Sequence, residues 1–210
     1  GFIHVPHNDL DALENILKNE KDVVSFLFEP IQGEAGVNVP DDNYIKGVRD
    51  LCSRYNVLMI ADEIQTGLGR TGSLLASCGH CSCSSSCEKQ DSYVRADILI
   101  LAKALSGGTY PISAVLCDSE IMEVIQPGQH GSTYGGNPFA ASIAKKSLEI
   151  IIDEKLSQNA RHLGKIFRDR MNDYIKKSKI VKSVRGKGLL NAIVINDNPE
   201  SKTAWNICLK

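Results

Sequence analysis

Residues 57–67 have the sequence VLMIADEIQTG, and this stretch decides the fold. An apolar run ends abruptly in two acids, Asp62 and Glu63, and a polar loop with a glycine follows. This pattern is typical of a buried parallel strand that brings a carboxylate to the carboxyl edge of a sheet, where open α/β folds bind their ligands. Because side chains alternate along a strand, we expect Asp62 alone to face the site.

A second stretch of the same kind follows at residues 97–108, which have the sequence DILILAKALSGG. Its apolar run predicts another buried strand, and this strand presents Lys103. An acid and a lysine, each at the end of its own strand, suit pyridoxal phosphate. This cofactor binds covalently to a lysine amine and needs an acid that keeps its pyridine nitrogen protonated. The alternatives are a solvent-exposed lysine and a helix N-cap aspartate.

Three motifs occur in order and resemble those of the class III, ornithine-type aminotransferases: ADEIQTGLGRTG at 61–72, LAKALSGG at 101–108 and HGSTYGGNP at 130–138. VRGKGLLNAIVI at 184–195 extends the resemblance over nearly the whole chain, with a break at about 77–94. The resemblance implies a fold-type I pyridoxal-phosphate transferase. Its large domain is a three-layer α/β/α structure with a mainly parallel sheet, and a smaller α/β domain follows. We expect residues 1–153 to belong to the large domain and residues 154–210 to begin the small one.

The same resemblance implies roles for five residues around the cofactor. Lys103 binds pyridoxal phosphate covalently and moves the substrate proton, Asp62 pairs with the pyridine nitrogen, and Gln65 binds the phenolic oxygen. Ser132 and Thr133 lie in a loop that, in this family, reaches the cofactor phosphate of the neighbouring subunit. The resemblance therefore implies a homodimer with small-molecule substrates.

Two further acids, Glu29 and Glu34, match substrate-binding positions of the family. Glu34 matches a residue that pairs with an arginine in the first half-reaction, although two surface acids are the plainer alternative, and Arg185 is expected to be structural. The implied activity moves the δ-amino group of L-ornithine to 2-oxoglutarate and gives glutamate 5-semialdehyde and glutamate. The alternatives are acetylornithine or 4-aminobutyrate as amino donor, or a truncated, non-catalytic chain whose insertion binds a metal or a partner.

The composition of the 210 residues excludes several classes of protein. The net charge is −1 and the basic residues are scattered among acids, which disfavours a nucleic-acid surface. No apolar run approaches the roughly 20 residues of a membrane helix. The start, GFIHVP, resembles no targeting peptide and looks like a cut into a longer chain. We therefore expect a fragment that is inactive by itself and whose start says nothing about targeting. The cofactor chemistry favours a reduced, intracellular protein, cytoplasmic or alternatively in the mitochondrial matrix.

Seven cysteines divide into two groups. Those in apolar segments are expected to be buried free thiols, namely Cys52, Cys117 and Cys208. The others lie in a Ser/Cys-rich insertion at about 77–92, together with His80: Cys78, Cys81, Cys83 and Cys87. Zinc sites usually combine two well-separated ligand pairs, so we expect a surface insertion and no metal, with a metal site as the alternative.

The remaining pattern predicts a βαβ unit and later helices. We expect strands at 23–28, from 57, from 98, at 112–117 and at 189–195. We expect helices at 8–17 with Asn8 as N-cap, at 41–55, from Asn137-Pro138, and at 156–175. The last helix has a predicted apolar stripe at Leu156, Ala160, Leu163, Phe167, Met171 and Tyr174.

Overall fold

The structure is a computed structural model that describes residues 1–78 and 94–196. Within these ranges the helices are α1 (Leu10–Asn19), α2 (Tyr44–Arg54), α3 (Ser119–Met122), α4 (Pro138–Asp153) and α5 (Leu156–Ile175). The strands are β1 (Ser25–Phe28), β2 (Leu58–Asp62), β3 (Ile98–Leu101), β4 (Ala114–Cys117), β5 (Val181–Lys187) and β6 (Leu190–Ile195). A short 3₁₀-helix spans Lys103–Ser106. None of the described helices is long and apolar enough to cross a membrane.

Strands β1 to β4 form one sheet in the order β1-β2-β3-β4. β1 pairs with β2 and β2 with β3 in parallel, whereas β4 pairs antiparallel with β3. The predicted βαβ unit and the mainly parallel sheet are therefore confirmed. The strand predicted at 112–117 is shorter than expected, Ala114–Cys117, and it runs antiparallel because the chain turns back after the 3₁₀-helix without a crossover.

The register places the described core on one face of this sheet. Ala61 lies beside Leu99, and side-chain alternation puts Met59 and Leu101 on the same face. Helices α1 and α2 pack on Met59 and Ala61, and α4 packs on Leu101. The opposite face carries Leu27, Ile60, Asp62, Ile100 and Val115. Leu27 and Val115 are each 56% exposed, so the described residues supply the sheet and one of the two helical layers of the predicted three-layer domain.

The beginning of α1 differs from the prediction. Asp9 is the N-cap, and its carboxylate accepts a hydrogen bond of 2.8 Å from the backbone N–H of Ala12. The prediction of Asn8 as N-cap is wrong, because Asn8 has φ +66° and its side chain faces the other way. Its amide group donates to the Asp41 carboxylate and accepts from the Asp41 backbone N–H, both at 3.0 Å, which joins α1 to the segment before α2.

Helix α5 has the predicted bounds but not the predicted buried face. Leu163, Phe167 and Tyr174 are 43%, 38% and 57% exposed, so this part of the predicted stripe is wrong. The buried residues of α5 are the small ones, Ala160 and Gly164. Small residues are buried here because α5 approaches a main-chain turn, and a large side chain would hold the two backbones apart.

That turn joins β5 to β6, which form a separate antiparallel two-stranded sheet. An added Cβ at Gly164 would overlap the carbonyl group of Gly188 in the turn. Arg168, one helical turn further on, donates to the Gly188 carbonyl at 3.1 Å and to the Asn191 side chain at 2.9 Å. Helix α5 and this hairpin thus pack as one unit, while the domain boundary near Asp153 stays a prediction.

We expect Gly164→Ala to destabilise the complete protein by about 1–3 kcal/mol, the usual range for overpacking. The new methyl group would displace backbone, which cannot move aside as a side chain can. Gly47→Ala in α2 is the matched control, because its Cβ would meet only the flexible end of Leu10 and alanine favours a helix. Thermal unfolding followed by circular dichroism measures both variants. Equal midpoints for Gly164→Ala and the wild type would show that α5 can shift away from the hairpin.

Candidate active site

Lys103 is the second residue after the strand that presents it. β3 ends at Leu101, and Lys103 opens the 3₁₀-helix with φ +46°, in the left-handed region that costs a non-glycine residue about 1–3 kcal/mol. Ser106 holds this backbone in place: its hydroxyl donates to the Lys103 carbonyl at 3.1 Å and accepts from the Gly108 N–H at 3.1 Å. The strain therefore lies at a lysine whose side chain is exposed.

An open cavity of about 440 Å³ adjoins Lys103. Its other lining residues are Ala102, Ser106, Pro111, Ile112 and Ser113. Pockets for small ligands have volumes of about 300–1,000 Å³, so the space suits a cofactor of moderate size. A primary amine at the wall of such a cavity can attack a carbonyl carbon of a bound molecule.

Asp62 ends β2, the strand next to β3. Its register partner is Ile100, three residues before Lys103, so both site residues lie at the same carboxyl edge of parallel strands. The side chain is half-buried on the open face of the sheet, and its carboxylate accepts a hydrogen bond of 3.0 Å from the Ile64 N–H. Asp62 is not among the residues that line the cavity at Lys103, so the structure brings them to one edge and not into direct contact.

Gln65 and Glu34 meet across the loop that follows β1. The Gln65 side-chain amide donates to the Glu34 carboxylate at 3.3 Å. Gly33 makes room for this contact, because an added Cβ there would overlap the amide group of Gln65. Two residues with separately predicted roles, one for the cofactor and one for the substrate, therefore lie side by side.

Glu29 lies at the base of the same loop. Its carboxylate accepts a hydrogen bond of 2.9 Å from the Gly33 N–H, so in this structure it holds the loop closed. Arg185 on β5 reaches the loop from the other side, and its Nε donates to the Gly36 carbonyl at 2.7 Å. Glu29 and Arg185 therefore stabilise the loop that carries Glu34.

Ser132 and Thr133 lie in an exposed loop before α4. The Ser132 hydroxyl accepts a hydrogen bond of 2.9 Å from the Gly135 N–H, which shapes the loop. Neither residue is among those that line the cavity at Lys103. Within one chain, the structure therefore does not join this loop to the Lys103 site.

Glu63 was predicted only to point the opposite way from Asp62, and the sequence assigned it no role. Burial alternates along β2 and continues to Glu63, which is 1% exposed on the covered face of the sheet. Its carboxylate accepts three hydrogen bonds, from the Thr66 hydroxyl at 2.5 Å, the Ala76 N–H at 3.1 Å and the Ser77 N–H at 2.6 Å. The predicted alternation is confirmed, because Glu63 faces inward where Asp62 faces outward, but it gave no indication of the three hydrogen bonds.

The cysteine predictions have mixed outcomes. Ser77 and Cys78 are buried, so the expected surface insertion does not begin at residue 77, and the rest of its cysteines, like Cys208, lie outside the described residues. Cys52 is buried as expected and Cys117 is half-buried, and both are free thiols. Burial raises the pKa of the Cys52 thiol to about 11, which keeps it protonated at neutral pH. Residues 1–78 and 94–196 contain no group of three or more potential metal ligands.

Comparisons with known proteins agree with this geometry. A family model described as aminotransferase class-III matches residues 3–210. The ornithine aminotransferase of Plasmodium yoelii yoelii is 54% identical over 209 residues, which are 100% of this chain and 47% of that protein. The mitochondrial ornithine aminotransferase of Rattus norvegicus is 52% identical over 210 residues, again 100% of this chain and 44% of that protein.

A solved structure, the acetylornithine aminotransferase from Elizabethkingia anophelis, superposes with a TM-score of 0.88 at 52% identity. The match covers 100% of this chain and 49% of that chain. The chain thus spans about half the length of the relatives it matches. With the family model matched from residue 3 to residue 210, the chain belongs to the class-III aminotransferase family.

Proposed function

We propose that the protein containing this chain is an ornithine aminotransferase that uses pyridoxal phosphate. It transfers the δ-amino group of L-ornithine to 2-oxoglutarate and gives glutamate 5-semialdehyde and glutamate. The observation that carries the proposal is that Lys103 and Asp62 lie at the same carboxyl edge of two adjacent parallel strands. The Plasmodium and rat relatives, both ornithine aminotransferases at more than 50% identity, support the choice of substrate.

The donor set at this edge fits pyridoxal phosphate. The cofactor, when bound, supplies a conjugated ring that withdraws electrons from the substrate carbon. The Lys103 amine would hold the cofactor covalently through its aldehyde group, and once released by the substrate amine it would move the proton at the reacting substrate carbon. The Asp62 carboxylate would keep the pyridine nitrogen protonated, and the Gln65 amide, positioned by Gly33, would be available to the phenolic oxygen.

Further residues complete the proposal for the substrate and the second subunit. Glu34 would bind the charged end of the substrate, with Glu29 shaping its loop through the Gly33 N–H. Ser132 and Thr133 would bind the cofactor phosphate of a neighbouring copy, which their exposure in one chain permits. The active form proposed is therefore a homodimer.

The compartment proposed is intracellular, either the cytoplasm or the mitochondrial matrix. The rat relative is a mitochondrial enzyme, which supports the second choice. The free thiols of Cys52 and Cys117 are consistent with a reducing compartment.

A second candidate substrate is acetylornithine. The structure of the Elizabethkingia acetylornithine aminotransferase is as similar in sequence to this chain as the ornithine enzymes are. Both donors react at the same terminal amine and differ in the group at the other end, where acetylation removes the positive charge of the α-amino group. The two proposals therefore differ in which donor the site around Glu34 accepts.

The test is an assay of the complete protein with pyridoxal phosphate and 2-oxoglutarate. We expect saturable formation of glutamate 5-semialdehyde from ornithine, with a kcat/KM at least about 10-fold above that for acetylornithine, since a site that accepts a free α-ammonium group is expected to take the bulkier, uncharged acetamido group less well. 4-Aminobutyrate serves as a third donor. A preference for acetylornithine would replace the substrate assignment, and no transamination of any of the three would overturn the proposed function.

A further inference from the structure

Glu63 is a buried acid that has no role in the proposed chemistry. A buried carboxylate is costly unless hydrogen bonds compensate for the water it loses. Here one hydroxyl and two backbone N–H groups point at it, the shortest at 2.5 Å and 2.6 Å. Hydrogen bonds to an ionised acceptor are roughly twice as strong as those between neutral groups, so this arrangement holds its partners firmly.

The partners come from both ends of one segment. Thr66 lies three residues after Glu63, whereas Ala76 and Ser77 lie 13 and 14 residues after it. The carboxylate thus closes residues 63–77 into a loop at its base. This loop is mostly buried, which is unusual for a connection and indicates that it is part of the packed structure.

The backbone of Glu63 is fixed as well. Its N–H donates to the Ile100 carbonyl at 3.0 Å, which extends the pairing of β2 with β3 past Asp62. Its carbonyl accepts from the Gly67 N–H at 2.9 Å, which sets the turn that carries Gln65. Two of the residues assigned to the cofactor, Asp62 and Gln65, therefore lie within two positions of Glu63.

The tip of the 63–77 loop contacts helix α5 and the β5–β6 hairpin. The Gly72 carbonyl accepts two hydrogen bonds from the Arg161 guanidinium on α5, at 2.7 Å and 3.1 Å. The Arg70 carbonyl accepts from the Leu189 N–H in the β5–β6 turn at 3.0 Å. The loop is thus held by α5 and the hairpin at its tip and by Glu63 at its base.

We propose that Glu63 is a positioning residue, whose buried carboxylate closes the 63–77 loop and thereby fixes Asp62 and Gln65 in the orientation that binds the cofactor. The inference rests on the proposed function, because it takes Asp62 and Gln65 as cofactor ligands. Glu63 itself touches neither cofactor nor substrate. Its effect is carried by the backbone of residues 62–67 and by the loop base at Ala76 and Ser77.

The variant Glu63→Gln tests this in the complete protein. The glutamine side chain keeps the size but turns one acceptor oxygen into an NH₂ group, so one of the two backbone N–H groups loses its acceptor. We expect the Kd for pyridoxal phosphate to rise about 10-fold, the lower part of the range for groups that orient the ligands of a bound metal. We also expect faster amide hydrogen exchange at Ala76 and Ser77 in the cofactor-free protein.

Val48→Ala is the matched control, because Val48 is fully buried in the helical layer and truncation lowers stability without touching the loop. Both Kd values are measured well below the thermal transitions, where a loss of global stability alone does not change cofactor affinity. A raised Kd in Glu63→Gln with an unchanged Kd in Val48→Ala supports the proposal. An unchanged Kd in Glu63→Gln overturns it and leaves the proposed function intact.

If Glu63→Gln does not fold, Thr66→Val carries the test, because it removes one of the three donors and leaves the carboxylate in place. Weaker cofactor binding by Thr66→Val supports the proposal, and wild-type binding overturns it. Absence of pyridoxal phosphate binding by the wild-type protein would overturn the proposed function and this inference together.

Discussion

Lys103→Ala in the complete protein is expected to abolish transamination, with a loss of at least about 10⁴-fold in kcat, because the variant lacks both the nucleophile and the proton-transfer group. The exposed amine at the cavity wall is the group that the proposal assigns to covalent attachment. The variant should also lose the covalent adduct that borohydride reduction traps on the wild-type protein. Activity assays and mass spectrometry of the reduced protein measure the two effects.

The control for this prediction is Lys146→Ala on α4. Lys146 is exposed and its amine lies 3.3 Å from Glu149, so its removal takes away a charge of the same kind from a residue that does not line the cavity at Lys103. We expect this variant to keep both activity and adduct. A peptide map that placed the reduced cofactor on a lysine other than Lys103 would contradict the assignment.

Asp62→Asn is expected to fold and to bind some cofactor but to lose about 10²-fold or more in kcat, the usual scale for removing one electrostatic contact to developing charge. Asparagine keeps the shape, and its oxygen can still accept from the Ile64 N–H. It cannot hold a proton on the pyridine nitrogen as a carboxylate does, because a neutral acceptor forms a weaker hydrogen bond than an ionised one.

The kinetic pattern identifies the role. For Asp62→Asn we expect a fall in kcat that is larger than the loss of cofactor affinity, whereas Asp50→Asn on α2 should behave as wild type. Asp50 is an exposed acid paired with Lys46 at 2.8 Å, which makes it a control for lost charge alone. Near-normal turnover by Asp62→Asn would remove Asp62 from the proposed chemistry.

The loop between Thr66 and Leu74 shows where prediction from sequence stopped. Its sequence, TGLGRTGSL, marked the family and predicted a turn. The structure shows why residue 72 is a glycine: its φ is +90°, and an added Cβ would press on the backbone of Arg161. The contact spans 89 residues of chain, so no local pattern could have indicated it.

Helix α5 shows a second limit of prediction from sequence, because its bounds were predicted and its buried face was not. Its 20 residues follow from the period of the sequence, and the structure has the predicted bounds. The buried side could not be predicted. The apolar period predicts that Leu163 and Phe167 are buried, whereas contact with the hairpin buries Gly164. Amphipathic patterns describe the average environment of a helix, and one close backbone approach outweighs them.

The sequence by itself determined strands β1, β2, β3, β4 and β6, the parallel βαβ unit, and the delivery of Asp62 and Lys103 to one edge, because apolar runs and side-chain alternation are local properties of the chain. It did not indicate β5. Only the tertiary structure decided what surrounds them. It placed the Glu63 carboxylate against N–H groups 13 and 14 residues away, and it set Gln65 beside Glu34, 31 residues apart. Hydrogen bonds between distant segments depend on how the elements pack, and packing is a property of the whole fold.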